Sequence, residues 1–204
     1  MALLVRHGQT PTTGAVLPGR AAGLHLSDVG GAQAEIAATR ISEMSRPPVA
    51  VYSSPLERAV ETARPIAKGL GLRVKVDRDL IECDFGQWTG EKLATLRRRP
   101  EWNAVQHWPS GFRFPGGESF TEMQVRMVRS LHRMAQAHPG ERFVVVSHAD
   151  TIKAAVAASA GIPLDLFQRI VISPCSVTAL AFADDSTNVL CVNSVSALSE
   201  LVLS

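Results

Sequence analysis

Short, unbroken apolar runs limit this chain most: Ala2 to Val5, the segment Val49 to Ser53, and Phe143 to Val146. Each is too short for a helix and does not alternate, which is the pattern of a strand buried on both faces of a parallel sheet. The first run stops directly on Arg6, His7 and Gly8, and the third meets Ser147 and His148. Buried strands that end on arginine and histidine have reached the edge of the core.

Helical patterns lie between the runs. Ser27 is placed to cap a helix extending to about Met44, with Ala32, Ile36, Ala37 and Ile41 on one face. Pro55 opens a second helix carrying Leu56, Ala59, Val60 and Ala63, and Pro65 is positioned to kink or end it. "LRVKVD" alternates like a strand, and a short helix is expected over Glu91 to Arg98. Prolines and glycines make residues 100–118 the longest irregular stretch. From Ser119 to about Ala137 a helix is expected to bury Phe120, Met123, Met127, Leu131 and Met134. "SVTALAF" and "NVLCVNSV", joined by the turn "ADDST", read as a hairpin at a sheet edge. Strands alternating with helices imply an α/β fold, a three-layer α/β/α sandwich with a mainly parallel sheet and an antiparallel edge. The length of 204 residues fits one domain, 1–204, with a candidate lid at about 91–118.

An apolar fraction of 46% and a charged fraction of 20% are ordinary for a globular protein and exclude disordered and collagen-like classes. With 21 basic and 19 acidic residues, no excess of charge points to nucleic acid. Cys83, Cys175 and Cys191 are far apart and form no CxxC pair, so buried free thiols are expected in place of a disulfide framework or zinc knuckle. The chain start lacks a signal-peptide pattern, and no stretch nears the ~20 apolar residues of a membrane span. The expectation is a soluble, cytoplasmic protein with no membrane partner; a homodimer stays open.

In such a sheet, ligands sit beyond the carboxyl ends of the strands, where loops meet helix N-termini. Arg6 and His7 follow one strand, "YSSPLERA" brings Arg58 about a turn into the next helix, and His148 stands where a strand gives way to a helix. Singly, each is more often structural. Together they cluster positive charge, which is costly unless an anion is bound, and the guanidinium fork suits a phosphate.

The chain resembles the histidine phosphatase superfamily, the phosphoglycerate mutase-like proteins, over essentially its whole length. The resemblance rests on "LVRHGQT" (4–10), "YSSPLERAVETA" (52–63), "LIECDFGQWTG" (80–90), "FPGGES" (114–119) and "VVVSHAD" (144–150), in the family's order. It implies a phosphatase of small phosphorylated metabolites, with His7 as the nucleophile that becomes phosphohistidine. It further implies Arg6, Arg58 and His148 as the phosphate pocket and Glu82 as the acid that protonates the leaving oxygen and then activates water. No cofactor or metal is implied. The histidines lack zinc-type spacing, and the cationic pocket supplies the positive charge. A phosphomutase and a non-catalytic phospho-ligand binder are the alternatives. The segment between Glu82 and His148 is shorter than in cofactor-dependent phosphoglycerate mutases, which favours the short, phosphatase-type branch.

Many members read RHGxTxxN, whereas Thr13 stands at the asparagine position here. Thr13, Arg20, Ala149 and Arg113 are expected near the substrate, with His107 a further candidate. Arg97, Arg98 and Arg99 are either a solvated helix end or a site for a second anionic group. Trp88, Trp102, Trp108, Phe112 and Phe114 either rim the mouth, favouring a bulky or aromatic ester, or pack the loop.

Overall fold

The computed structural model describes residues 1–183 and 186–195. Six strands form one sheet: β1 (Ala2–Arg6), β2 (Ala50–Ser53), β3 (Val74–Val76), β4 (Phe143–Ser147), β5 (Val177–Phe182) and β6 (Thr187–Ser194). Their spatial order is β3-β2-β4-β1-β5-β6. The first four are mutually parallel, whereas β5 runs antiparallel to β1 and pairs with β6 as the expected edge hairpin. Part of its turn, Asp184 and Asp185, lies outside the described residues.

Alternation along the central strands creates two cores. Leu3, Val5, Val144 and Val146 pack with Ile41, Ala59, Ala63 and Ile66, from helices α1 (Asp28–Ser42) and α2 (Glu57–Gly69). Ala2, Leu4, Phe143 and Val145 point the other way, against Met127, Leu131, Ile152 and Ala155. These belong to α5 (Phe120–Ala137) and α6 (Ala149–Ser159). The result is the three-layer sandwich: a half-buried strand would show one apolar face, and these show two.

Ser27 and Ser119 cap α1 and α5 as their sequences suggest, and Ser119 forms a reciprocal capping box with Glu122. All five expected apolar residues of α5 are buried. The face of α1 differs from expectation. Ala34, Ala37, Ala38 and Ile41 are buried, while Ala32 is exposed and Ile36 is 60% exposed. The small alanines let α1 pack closely along α2, with Ile41 reaching the core and Ile36 turned out. Val60 is only half-buried. Pro65 does not end α2, which continues to Gly69. The segment 100–118 is more regular than expected, because α4 (Glu101–His107) follows the short α3 (Leu93–Leu96) and Val105 anchors it to the interior. Cys83, Cys175 and Cys191 are free thiols. No described helix is long and apolar enough to cross a membrane.

Candidate active site

The site begins at a pair of neighbouring strand ends. Arg6 of β1 lies opposite Ser147 of β4, so the next residues, His7 and His148, leave the sheet side by side. The His7 amide donates to Ser147 O at 2.9 Å, and the two imidazoles stand 5.2 Å apart between centroids. The chain leaves the two strand ends on opposite faces of the sheet, from β1 into α1 and from β4 into α6, which opens a crevice at their carboxyl ends.

His7 is 6% exposed, and its Nδ1 lies 2.7 Å from Gly8 O. A carbonyl only accepts, so Nδ1 carries the proton and Nε2 keeps its lone pair. Burial first, then the charges of Arg58 and Arg6, lower the His7 pKa to about 3, against the raising effect of the Gly8 carbonyl. The imidazole is therefore neutral at pH 7.

Arg58 and His148 are fully buried. Arg58 Nη2 donates to Gly19 O at 2.8 Å, leaving Nε and Nη1 without an acceptor among the described residues. Arg6 Nη1 donates to Ile172 O, leaving its Nε unpaired, and His148 Nδ1 is likewise buried without a partner. Burial pulls down the pKa of all three groups. Four buried nitrogens with no acceptor are expensive unless an anion meets them.

Glu82 is 8% exposed, and its Oε2 lies 4.0 Å from His148 Nδ1. Its Oε1 accepts from the Cys83 amide. Burial, and then the negative charge of Asp150, push its carboxyl up to about 7. Arg20 and Arg126 both donate to the Glu82 carbonyl and both pair with Glu118, which also accepts from the Asp84 amide. Two arginines and a carboxylate therefore clamp the backbone that presents Glu82.

The open cleft over His7, about 390 Å³, is lined by Arg6, Thr13, Glu82 and Ala149 among others. Ala149 begins α6, so the positive end of that helix faces the cleft. Thr13 is at its wall, but Thr13 Oγ1 accepts the Thr10 amide at 2.9 Å and so closes the first loop. Arg20 is spent on the Glu82 clamp and does not line this cleft. Arg113 lies elsewhere: it is exposed, bonds the Gly117 carbonyl and pairs with Glu122, the N3 residue of α5. His107 does not line the cleft either. Arg99 pairs with Glu91 over the Trp88 ring, and Arg98 is exposed. The aromatic residues divide in the same way. Trp88 and Phe114 are buried in a satellite core with Phe112 and Trp102 against them, whereas Trp108 is 60% exposed.

Sequence reasoning missed Ser54, Thr62, Asp150, Lys153 and Gln168. Ser54 Oγ sits 2.7 Å from His148 Nε2, and Thr62 Oγ1 accepts the Gly8 amide while donating to Arg58 O. Both lie inside "YSSPLERAVETA", which contained the signal without the partners. Asp150, Lys153 and Gln168 line the cleft, with Lys153 Nζ 3.3 Å from Asp150 and 3.1 Å from Gln168.

Residues 2–195 match the model of the histidine phosphatase superfamily (branch 1). A bifunctional protein of Mycobacterium tuberculosis is 34% identical over 199 residues, covering 94% of this chain and 53% of its own length, so the chain spans about half of that relative. Phosphoserine phosphatase 1 of Hydrogenobacter thermophilus is 33% identical over 81% of this chain and 78% of its own. Among solved structures, a mycobacterial glucosyl-3-phosphoglycerate phosphatase superposes with a TM-score of 0.83 at 25% identity, over 95% of this chain and 98% of that one. With the strand-end histidines and their arginines, the whole-length match places the chain in the histidine phosphatase superfamily, branch 1, to which it belongs.

Proposed function

We propose that the protein is a metal-independent phosphomonoesterase acting on small phosphorylated metabolites through a phosphohistidine at His7. The convergence of buried, unpaired nitrogens from Arg6, Arg58 and His148 on a neutral His7 carries this reading. Phosphatase names among the relatives support it.

The reaction has two balanced halves. His7 Nε2 attacks phosphorus in line, the phosphorus–oxygen ester bond breaks, and protonated Glu82 gives its proton to the departing alkoxide oxygen. The Glu82 carboxylate then takes a proton from water, whose oxygen attacks the phosphoryl group, and the bond to Nε2 breaks, restoring His7 and releasing phosphate. Arg6 and Arg58 steady the equatorial oxygens in both halves, the role that fixed positive charge plays in phosphoryl transfer. A pure binder would gain nothing from a carboxyl group held near neutral pKa beside the pocket.

Free thiols at Cys83, Cys175 and Cys191 support a reducing, cytoplasmic setting. The deciding experiment incubates the protein with a panel of phosphate esters and follows both liberated phosphate and label on the protein. Acid-labile, base-stable phosphate on His7, lost with His7→Ala together with hydrolysis, is the expected result. Phosphate transferred to an organic acceptor instead of water would make the protein a mutase, and His7→Ala retaining activity would remove His7 as nucleophile.

A further inference from the structure

The cleft over His7 continues sideways. Phe85, Leu93, Asp150, Lys153 and Gln168 form a wall shared with a second chamber of about 290 Å³, closed on its far side by Trp102, Val105, Phe114, Phe120 and Arg97. We propose that this chamber receives the leaving group of the substrate, so that the preferred esters are phosphates of alcohols carrying an apolar, ring-sized body. The inference rests on the hydrolase reading and adds the substrate class.

Three features argue for it. The backing of the chamber is fixed: Phe85, Phe114 and Phe120 are at most 2% exposed, their rings contact edge to face at 4.9 and 5.2 Å, and the half-buried Leu93 and Trp102 that face the chamber pack against them. Trp102 is stacked on buried Trp88 at 6.4 Å, with the planes 19° apart. A chamber with such walls does not collapse on itself, whereas well-packed interiors leave few voids of this size.

The polar groups are Asp150, Lys153 and Gln168 at the junction, and Arg97 and Gln106 on the far side. Lys153, held by Asp150 and Gln168, stands where the two spaces meet. Arg97 makes no ion pair among the described residues, and of the three consecutive arginines it alone lines the chamber. A short, polar leaving group would reach the junction and leave the half-buried Leu93 and Trp102 uncovered. A ring-sized one would cover them.

Position in the chain gives the third feature. Leu93, Arg97, Trp102, Val105 and Phe114 all come from residues 91–118, which contribute none of the phosphate-binding nitrogens. Phosphate is held by the strand ends, and the leaving group would be read by this separate segment.

Ethyl phosphate and 2-(2-naphthyl)ethyl phosphate test the assignment, because their leaving alcohols are of similar reactivity and differ in the ring. The kcat/KM of the naphthyl ester is expected to exceed that of ethyl phosphate by about tenfold or more, in the range that pocket contacts with a few carbons supply. Trp102→Ala and, separately, the milder Leu93→Gln should each shrink that ratio about fivefold, with thermal melts confirming that the variants are folded. Equal kcat/KM for the two esters, or a ratio unmoved in both folded variants, overturns the chamber assignment while leaving the hydrolase reading in place.

Binding of the matching ethyl and naphthylethyl phosphonates to the His7→Ala protein, followed by tryptophan fluorescence and calorimetry, gives an answer without turnover. Tighter naphthylethyl binding, weakened by Leu93→Gln, upholds the chamber even if neither ester is hydrolysed, in which case the hydrolase reading alone fails. Equal affinity for the two phosphonates overturns the chamber.

Discussion

His148 Nε2 lies 2.7 Å from Ser54 Oγ, while Nδ1 of the same buried ring has no hydrogen-bond partner among the described residues and looks toward Glu82 at 4.0 Å. Ser54 Oγ already accepts the long Leu56 amide contact at 3.4 Å, so its hydroxyl proton is available to His148 Nε2. In that arrangement the imidazole proton sits on Nδ1, where it would donate to a phosphoryl oxygen in the proposed pocket. Ser54→Ala removes the tautomer control and little volume. Its kcat/KM is expected to fall about tenfold, the equivalent of roughly 1.4 kcal/mol, and inorganic phosphate should bind more weakly. Nitrogen-15 imidazole shifts would report the redistributed proton, which a purely structural role would leave alone.

Glu82 and His7 are pushed in opposite directions, the carboxyl up to about 7 and the imidazole down to about 3. Burial is the leading cause in both, because it penalises whichever form is charged. The first half-reaction needs neutral His7 with protonated Glu82, so the rate on alkyl esters is expected to fall as pH rises above about 7. Glu82→Gln should lower that rate by about 10²–10⁴-fold and remove the basic limb. Aryl esters with good leaving groups should suffer less.

The same shift has a sign for stability. A carboxyl with a raised folded-state pKa contributes fully below its ordinary value of 4.5 and loses that contribution as pH climbs through about 7. Relative to the wild type, Glu82→Gln should therefore melt at progressively higher temperature as buffers move from pH 4.5 to pH 8. Calorimetric scans across that window check it; parallel melting curves would show that Glu82 is not held in its raised state.

Much of this was legible from residue order. Apolar runs gave β1 and β4, and alternation of elements gave the layers; the arginines and histidines at their ends marked the crevice. What stayed hidden depends on partners far apart in the chain. Arg20 and Arg113 looked alike as cations near the family motifs, yet one clamps the Glu82 carbonyl and the other pairs with Glu122 on an exposed helix start. Periodicity assigned Ile36 to the α1 core, but packing against α2 buries the alanine stripe beside it. The aromatic residues of 88–114 could be read as rim or filling; four of them join a satellite core, Trp108 is exposed, and none lines the cleft over His7.

Glu118 ties together Arg20, Arg126 and the Asp84 amide, with its side chain only 12% exposed. Glu118→Ala leaves Arg126 without its carboxylate and Arg20 with Asp84 alone, at a cost of about 2 kcal/mol. Because both guanidiniums also hold the Glu82 carbonyl, kcat is expected to drop about tenfold with KM nearly constant. A shifted basic limb in the pH profile would mark Glu118 as a positioning residue, and loss of melting temperature without that shift would mark it as structural only.

Gly8 and Gly30 explain why the loop after His7 tolerates no side chain. A Cβ on Gly8 would stand 2.5 Å from Gly30 O, and one on Gly30 would collide with Gln9 O. Backbone therefore packs on backbone where α1 begins, which holds in place the Gly8 carbonyl that fixes the His7 tautomer. Gly30→Ala must push that segment away, and rigid backbone on both sides leaves no cheap adjustment. The expected cost is about 1–3 kcal/mol of stability, together with reduced phosphoenzyme formation. Gly31→Ala is the matched control, since its added Cβ meets nothing within 4 Å. It gains helix propensity, about 0.5–1 kcal/mol in favour of alanine, so the control should melt slightly higher than the wild type. If Gly30→Ala melts and labels like the control, the close approach does not govern His7.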